Sequence, residues 1–334
     1  MAPRPRVTVY WYSQTGQLLE SVSAVTDPLE KAGWDIRKVE IRPREPFPFP
    51  WPLRRFFGVF PASVDPDAAP GITARPPVAD DDDADLVVFA FPVWYLAPAL
   101  PMRAFVGAEP KAFDGRGVVG LVACRNMWYS AAIEVRQLIE GAGGRYVGTI
   151  ASVDTASAGV TFVTTLRWLL AGKREASWGF PRAGVGADEL ERLAFLGERL
   201  AELSPAQREF APDQDGPASG ATSDEVLAEE ALAERVRAVL AAHDAAPVNP
   251  PLAAADLLAG RVFRVWGRII RAADRRGDLP RKAFTGVFVL WLIGAVLAGL
   301  PAVVVARVLF KAGFDAAVAR RLAPVVAALG EARR

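Results

Sequence analysis

Arg6-Val-Thr-Val-Tyr-Trp-Tyr12, followed at once by Ser13-Gln-Thr-Gly-Gln-Leu18, is the stretch whose reading decides the fold. Its first part is apolar and rich in β-branched and aromatic residues, the composition of a buried strand in a parallel sheet. Its second part is a short hydroxyl-and-glycine turn. Behind it Leu18, Leu19, Val22 and Val25 recur with the period of a helix. A strand, a tight turn and a helix N-terminus together make an anion site. The unpaired first-turn N–H groups point into the turn, and the helix dipole favours negative charge there. Gly16 lets the backbone close around a phosphate, while Ser13 and Thr15 add hydroxyl donors. The turn is neither a Walker loop nor GxGxxG, since it has no Lys-Ser/Thr pair and no second glycine at the right offset. An ordinary Ser/Thr-capped strand–helix turn explains these few residues equally well, so the rest of the chain has to decide.

The whole chain narrows the choice. Its 334 residues hold one good domain plus extras, and a net charge of +1 carries no nucleic-acid footprint. One cysteine, Cys124, excludes an intramolecular disulfide and a multi-cysteine zinc site. One histidine, His243, lies in an Ala-rich stretch far from the motifs, which argues against a Ser-His-Asp triad and against histidine-based metal sites. An apolar share of 51% and a mean hydropathy of +0.18 need a cause, and that cause is C-terminal. The N-terminus runs into the first strand without a hydrophobic signal region, so the N-terminal domain is expected in the cytoplasm.

Further strands follow in order. Trp34–Ile41 alternates as the second, Leu86–Phe91 is a buried third, Gly117–Ala123 a fourth and Tyr146–Val153 a fifth. Helical spacing lies between them, with Asp188–Leu203 as a closing helix, and the alternation predicts a doubly wound α/β fold with five parallel strands. Ligands in such sheets bind at the carboxyl ends of strands. Pro92-Val-Trp-Tyr95, at the end of the third strand, therefore faces the same crevice as Ser13–Gln17, and Trp94 and Tyr95 suit stacking on a flat ring. Cys124-Arg-Asn126, at the end of the fourth, supplies the other edge. Arg125 suits electron-rich atoms. Asn126 is either a ring partner or the N-cap of the next helix. Cys124 reads as inert packing.

Three stretches sit outside this pattern. Pro46-Phe-Pro-Phe-Pro-Trp-Pro52 is polyproline-like, and with Leu53–Phe60 it carries six aromatics in fifteen residues. They cover a sheet edge or else form a wall, a lid or a membrane-facing patch. The acidic run Asp80–Asp85 reads as a solvated loop. Residues 154–186 form an insertion at the active edge, where substrate specificity is usually carried.

The C-terminal third changes character. Residues 204–251 are rich in Ala, Glu, Asp and Pro and read as a linker containing a helix over Asp224–Ala242. Residues 252–282 interleave Arg with bulky apolar side chains, a basic amphipathic juxtamembrane segment. Ala283–Ala306 has no charged residue and is long enough to cross a bilayer. Residues 307–334 form an amphipathic tail, and Pro301 allows either a single span or a re-entrant hairpin.

The strand-end loop Tyr12-Ser-Gln-Thr-Gly-Gln-Leu18 resembles the phosphate loop of flavodoxins. Leu18 departs from it where a third hydroxyl is common. With Pro46–Pro52, Pro92-Val-Trp94, Cys124-Arg-Asn-Met-Trp128, Phe162-Val-Thr-Thr165 and Phe263–Arg271, most of the chain resembles the flavodoxin-fold family called dialkylresorcinol condensing enzymes. The resemblance implies a flavodoxin-like domain over 1–203 binding FMN through Ser13, Gln14, Thr15, Gly16, Gln17, Pro92, Val93, Trp94, Tyr95, Cys124, Arg125 and Asn126. Tyr95 and Arg125 are the candidate catalytic pair, stabilising an enolate. Acyl condensation needs a reactive Cys with a His partner, which this chain lacks. A flavin suits instead the oxidation of a dialkylcyclohexanedione to a dialkylresorcinol, with a ketosynthase partner making the ring. The expectation is an oxidoreductase at the inner membrane with its flavodoxin-like domain in the cytoplasm, a lipophilic substrate and room for a homodimer. A quinone reductase fed by NAD(P)H and a non-catalytic carrier or scaffold are the alternatives.

Overall fold

The computed structural model describes residues 5–78, 84–203 and 223–331. The apolar runs become strands and the 3.6-periodic segments become helices: β1 (Arg6–Trp11), α1 (Gln17–Lys31), β2 (Asp35–Pro43), α2 (Leu53–Ser63), β3 (Ile72–Arg75), β4 (Leu86–Trp94), β5 (Ala97–Pro98), α3 (Leu100–Ala108), β6 (Gly117–Cys124), α4 (Tyr129–Gly141), β7 (Arg145–Val153), α5 (Ala158–Ala171) and α6 (Ala187–Ala201). The helical C-terminal part comprises α7 (Ser223–Ala242), α8 (Pro250–Asp274), α9 (Asp278–Gly294), a π-helical turn (Ala295–Gly299), α10 (Leu300–Leu309), α11 (Lys311–Leu322) and α12 (Ala327–Glu331).

The sheet runs β3-β2-β1-β4-β6-β7. Its five parallel strands, β2-β1-β4-β6-β7, follow the flavodoxin-like order, with Val9 opposite Val88 and Val88 opposite Val119 at the centre. Five strands are too few, however. β3 pairs antiparallel on the β2 edge, and β5 folds back on the end of β4 as a hairpin. Both are short, and β3 is half exposed, so neither carries the apolar run that marks an interior strand.

Helices cover both faces. Tyr10, Phe89, Phe105, Phe113 and Val135 fill one side of the sheet, and Val9, Val22, Val88, Leu193 and Val236 the other. The linker expected over 204–251 is corrected here. Residues 204–222 lie outside the described residues, but α7 packs on β7 and buries Leu232, Val236 and Leu240 in the core. That single file of apolar residues at i, i+4 and i+8, among Ala and Glu, is a narrow stripe that composition disguises. In the acidic run, Asp80–Asp83 lie outside the described residues, while the Asp85 carboxylate accepts the Arg6 N–H at 2.8 Å.

α8 lies on the domain. Its Asn249 cap accepts the Leu252 N–H at 3.3 Å, and its buried face, including Phe263 and Ile270, packs on α2 and α4. At Gly267 the helices approach so closely that a Cβ would run into Val64. The apolar segment is longer than the 283–306 expected: Asp278–Leu309 is one helical span of 32 residues, long and apolar enough to cross a membrane. Pro301 follows the π turn, a local adjustment that accommodates a missing backbone N–H. The tail does not trail away. Val318, Leu322, Val325 and Val326 are buried in the same core as the sheet; residues 332–334 lie outside the described residues.

Candidate functional site

At the carboxyl ends of β1, β4 and β6 the chain leaves a cavity of about 570 Å³, within the usual size for a small-molecule site. All three strand-end loops reach it: Ser13, Gln14, Thr15 and Gln17 from the first, Pro92, Val93, Trp94 and Tyr95 from the second, Cys124, Arg125 and Asn126 from the third. Of the expected residues only Gly16 stays off the wall. It caps α1 at φ +83°, a left-handed conformation that glycine adopts without steric cost, and α1 has no side-chain cap. The Leu19 N–H turns back to the Gly16 carbonyl at 3.0 Å, and no capping side chain competes for the N–H groups ahead of it.

Gln14 lines the cavity but serves the scaffold. Its amide donates to the Pro48 carbonyl at 2.7 Å and accepts from the Trp51 indole at 3.0 Å. The proline–aromatic segment is thereby fastened to the loop after β1, and the Trp51 backbone N–H donates to the Leu169 carbonyl at 2.7 Å. Trp51 and Phe56 line the cavity beside Trp94, whose ring meets Tyr12, Phe47 and Trp51 edge-on with centroids 4.8–5.9 Å apart. The aromatics of 46–60 thus build a cavity wall and a helix interface, not an edge cover.

Tyr95 lines the cavity but is also fastened to the scaffold. Its hydroxyl donates to the Phe56 carbonyl at 2.6 Å, its ring packs on Phe56 and Phe60, and burial pushes its pKa up. Tyr95 and Leu96 form the two-residue hairpin turn at φ +51° and +64°, where Asn and Gly are the usual occupants. Two bulky side chains held there cost roughly 1–3 kcal/mol each, strain that the surrounding packing sustains. Arg125 remains beside the cavity with its guanidinium 5.3 Å from the Phe162 ring centroid, and burial lowers its pKa. Burial likewise pushes the Cys124 thiol up, so it stays protonated and a poor nucleophile.

Asn126 does not cap α4. The helix begins at Tyr129, and the buried Asp256 of α8 does the capping: its carboxylate accepts the Tyr129 and Ser130 N–H groups at 3.1 and 2.9 Å. Burial raises the Asp256 pKa to about 7. Asn126 instead donates to the Thr161 hydroxyl at 3.3 Å, and its Oδ1 is buried with no hydrogen-bond partner among the described residues. A buried acceptor of this kind is costly unless a ligand satisfies it.

The insertion closes the site from above. Phe162, Leu166 and Trp168 of α5 line the cavity, Arg174 lies 4.7 Å over Trp168, and its guanidinium grips Glu20 in two 2.8 Å bonds. Arg174 lowers the Glu20 pKa and offsets the one carboxylate in the first turn of α1. The far wall was not anticipated. Leu252, Ala255 and Ala259 of α8 form it together with Ala295, Gly299 and Val303 of the apolar span, which packs against α8. Small residues four apart in two bulky apolar helices are the one sequence signal that marks this wall.

No protein-family model matches the chain, and no characterised protein matches it by sequence. Among solved structures, a flavoprotein from Lactobacillus acidophilus NCFM in complex with FMN is similar at 15% identity and a TM-score of 0.37. The match covers 45% of this chain and 93% of that one. A flavodoxin, WrbA-like protein from Agrobacterium tumefaciens is similar at 14% identity and a TM-score of 0.32, over 60% of this chain and 97% of its own.

Proposed function

We propose that this protein is a membrane-associated flavin-dependent oxidoreductase that aromatises a long-chain dialkylcyclohexanedione to a dialkylresorcinol. The carrying observation is the polarity of the cavity along its length: an uncapped helix N-terminus and an unsatisfied Asn126 carbonyl at one end, apolar helices at the other. The residues fit FMN. The amides after Gly16, with the hydroxyls of Ser13 and Thr15, would hold the phosphate, and Asn126 Oδ1 would accept a ring N–H. Trp94 and Trp51 would exclude water from the ring.

When bound, the flavin supplies a two-electron acceptor for hydride. Conversion of the dione to the resorcinol releases two electrons and two protons, so the reaction also needs an electron acceptor to turn over. Arg125 would stabilise the enolate form of the ring as the proton leaves. Alkyl chains would lie between α8 and α10, where each buried methylene contributes about 0.8 kcal/mol. A ketosynthase partner would supply the dione at the cytoplasmic face of the inner membrane.

Detergent-purified protein mixed with FMN is expected to show flavin absorption bands, released on denaturation, and to convert the dione in the presence of an electron acceptor. Flavin binding with the dione unchanged would sink the aromatase reading. Bleaching by NAD(P)H would then favour a quinone reductase. A colourless protein that takes up no FMN would point to a scaffold.

A further inference from the structure

We propose that α8 and the span α9–α10 dock into a single leaflet of an anionic membrane, lying along it instead of crossing it, with the cavity wall toward the lipid. The inference rests on the membrane association proposed above and not on the flavin chemistry.

A span of 32 residues is about 48 Å long as a helix, and crossing would set its ends apart by the bilayer core of about 30 Å. Here both ends belong to one domain. Near its start Arg281 pairs with Asp274 at 3.6 Å, and Phe288 stacks on Phe60 with centroids 4.0 Å apart. In its middle Ala295 and Gly299 line the cavity together with residues of α8, on which the span packs. At its end Arg307 pairs with Asp315 at 2.8 Å. Beyond that, Leu322 is buried in the sheet core and the Val325 carbonyl accepts the Thr149 hydroxyl at 2.7 Å. A crossing helix would have to pull this tail out of the core.

The outer face is nevertheless built for lipid. Phe284, Val287, Leu290, Ile293, Leu297 and Val304 are all exposed along the span. Beside them, the exposed side of α8 carries Arg261, Arg264 and Arg268 among Leu258, Val265 and Ile269. Cations flanking an apolar helical face match the headgroups and acyl boundary of an anionic leaflet.

The test is the sidedness of the full-length protein in sealed membrane vesicles. Asp188→Cys on α6 and Ala316→Cys on α11, both exposed positions, are probed with a membrane-impermeant maleimide, and the wild type with its single Cys124 sets the background. Both are expected to react from the same side of the membrane. Reaction from opposite sides would overturn the proposal, as would recovery of the protein as a soluble dimer that hides the apolar face. Depth supplies a second reading, from a bimane label on Leu290→Cys or Val304→Cys in phosphatidylglycerol vesicles with brominated chains. Equal quenching depth at the two sites is expected; depths that differ by the axial separation of about 21 Å would overturn it.

Discussion

At its polar end the cavity is walled by three loops that leave the carboxyl ends of β1, β4 and β6, whereas its apolar end is walled by side chains of α8 and the span α9–α10. The loops are positioned by backbone: parallel pairing brings the strand ends together whatever the side chains are. The helical wall is positioned by packing. Phe60, Phe263 and Phe288 form a small separate core that holds the span against α2 and α8. One end of the site is therefore tied to the stability of the sheet, and the other to a few aromatic contacts.

That contrast can be broken from either side. Phe288→Ala has the largest expected effect, about 3–5 kcal/mol for an aromatic truncated in a packed core, read as a fall in thermal unfolding temperature in detergent. FMN affinity should change less than about threefold in the same variant, because the loop proposed to hold the phosphate is held by β1. A loss of flavin binding there would mean that the two ends are not separable. Thr15→Asp attacks the polar end. A carboxylate beside the phosphate should weaken FMN binding at least about 100-fold, or about 2.7 kcal/mol, in a fluorescence titration, with membrane attachment unchanged.

The smallest effect sharpens the seam between the two regions, where Asp256 of α8 caps α4. Its folded pKa, about 7, lies above the ordinary carboxylate value of 3.8, so the native state holds a proton that the unfolded chain has released. Stability from this group is full below about pH 4 and declines as pH rises toward 7. Asp256→Asn should cost about 1–2 kcal/mol at pH 5 through its poorer cap, and the gap to wild type should close and reverse by pH 8, because the wild type loses about 1.4 kcal/mol per pH unit on the way to 7. Unfolding curves for the two proteins that stay parallel from pH 5 to 8 would refute this.

How much of this was legible beforehand varies with the range of the interaction. The three strand-end loops could be read because a β-rich run, a turn and a helical period are local signals. The roles of Tyr95 and Asn126 could not. Each depends on a partner 35–39 residues away, the Phe56 carbonyl in one case and the Thr161 hydroxyl in the other. The helix α7 was legible over Asp224–Ala242, but its burial against the sheet was hidden, because one apolar residue per turn, set among Ala and Glu, barely differs from a linker in composition.

The sequence by itself determined the doubly wound sheet, the glycine turn at the head of α1 and a charge-free apolar run too long for an ordinary core helix. Periodicity and composition are properties of neighbouring residues, and they survive without knowledge of the fold. Only the tertiary structure decided that this run lies against the domain, that its small residues complete the cavity, and that the tail beyond it returns to the sheet. Those outcomes rest on contacts such as Tyr129 with Asp256 and Thr149 with Val325, separated by 127 and 176 residues. Contacts of that range leave no periodic trace in the chain, because their favourable energy appears only once the sheet has brought both partners to one place.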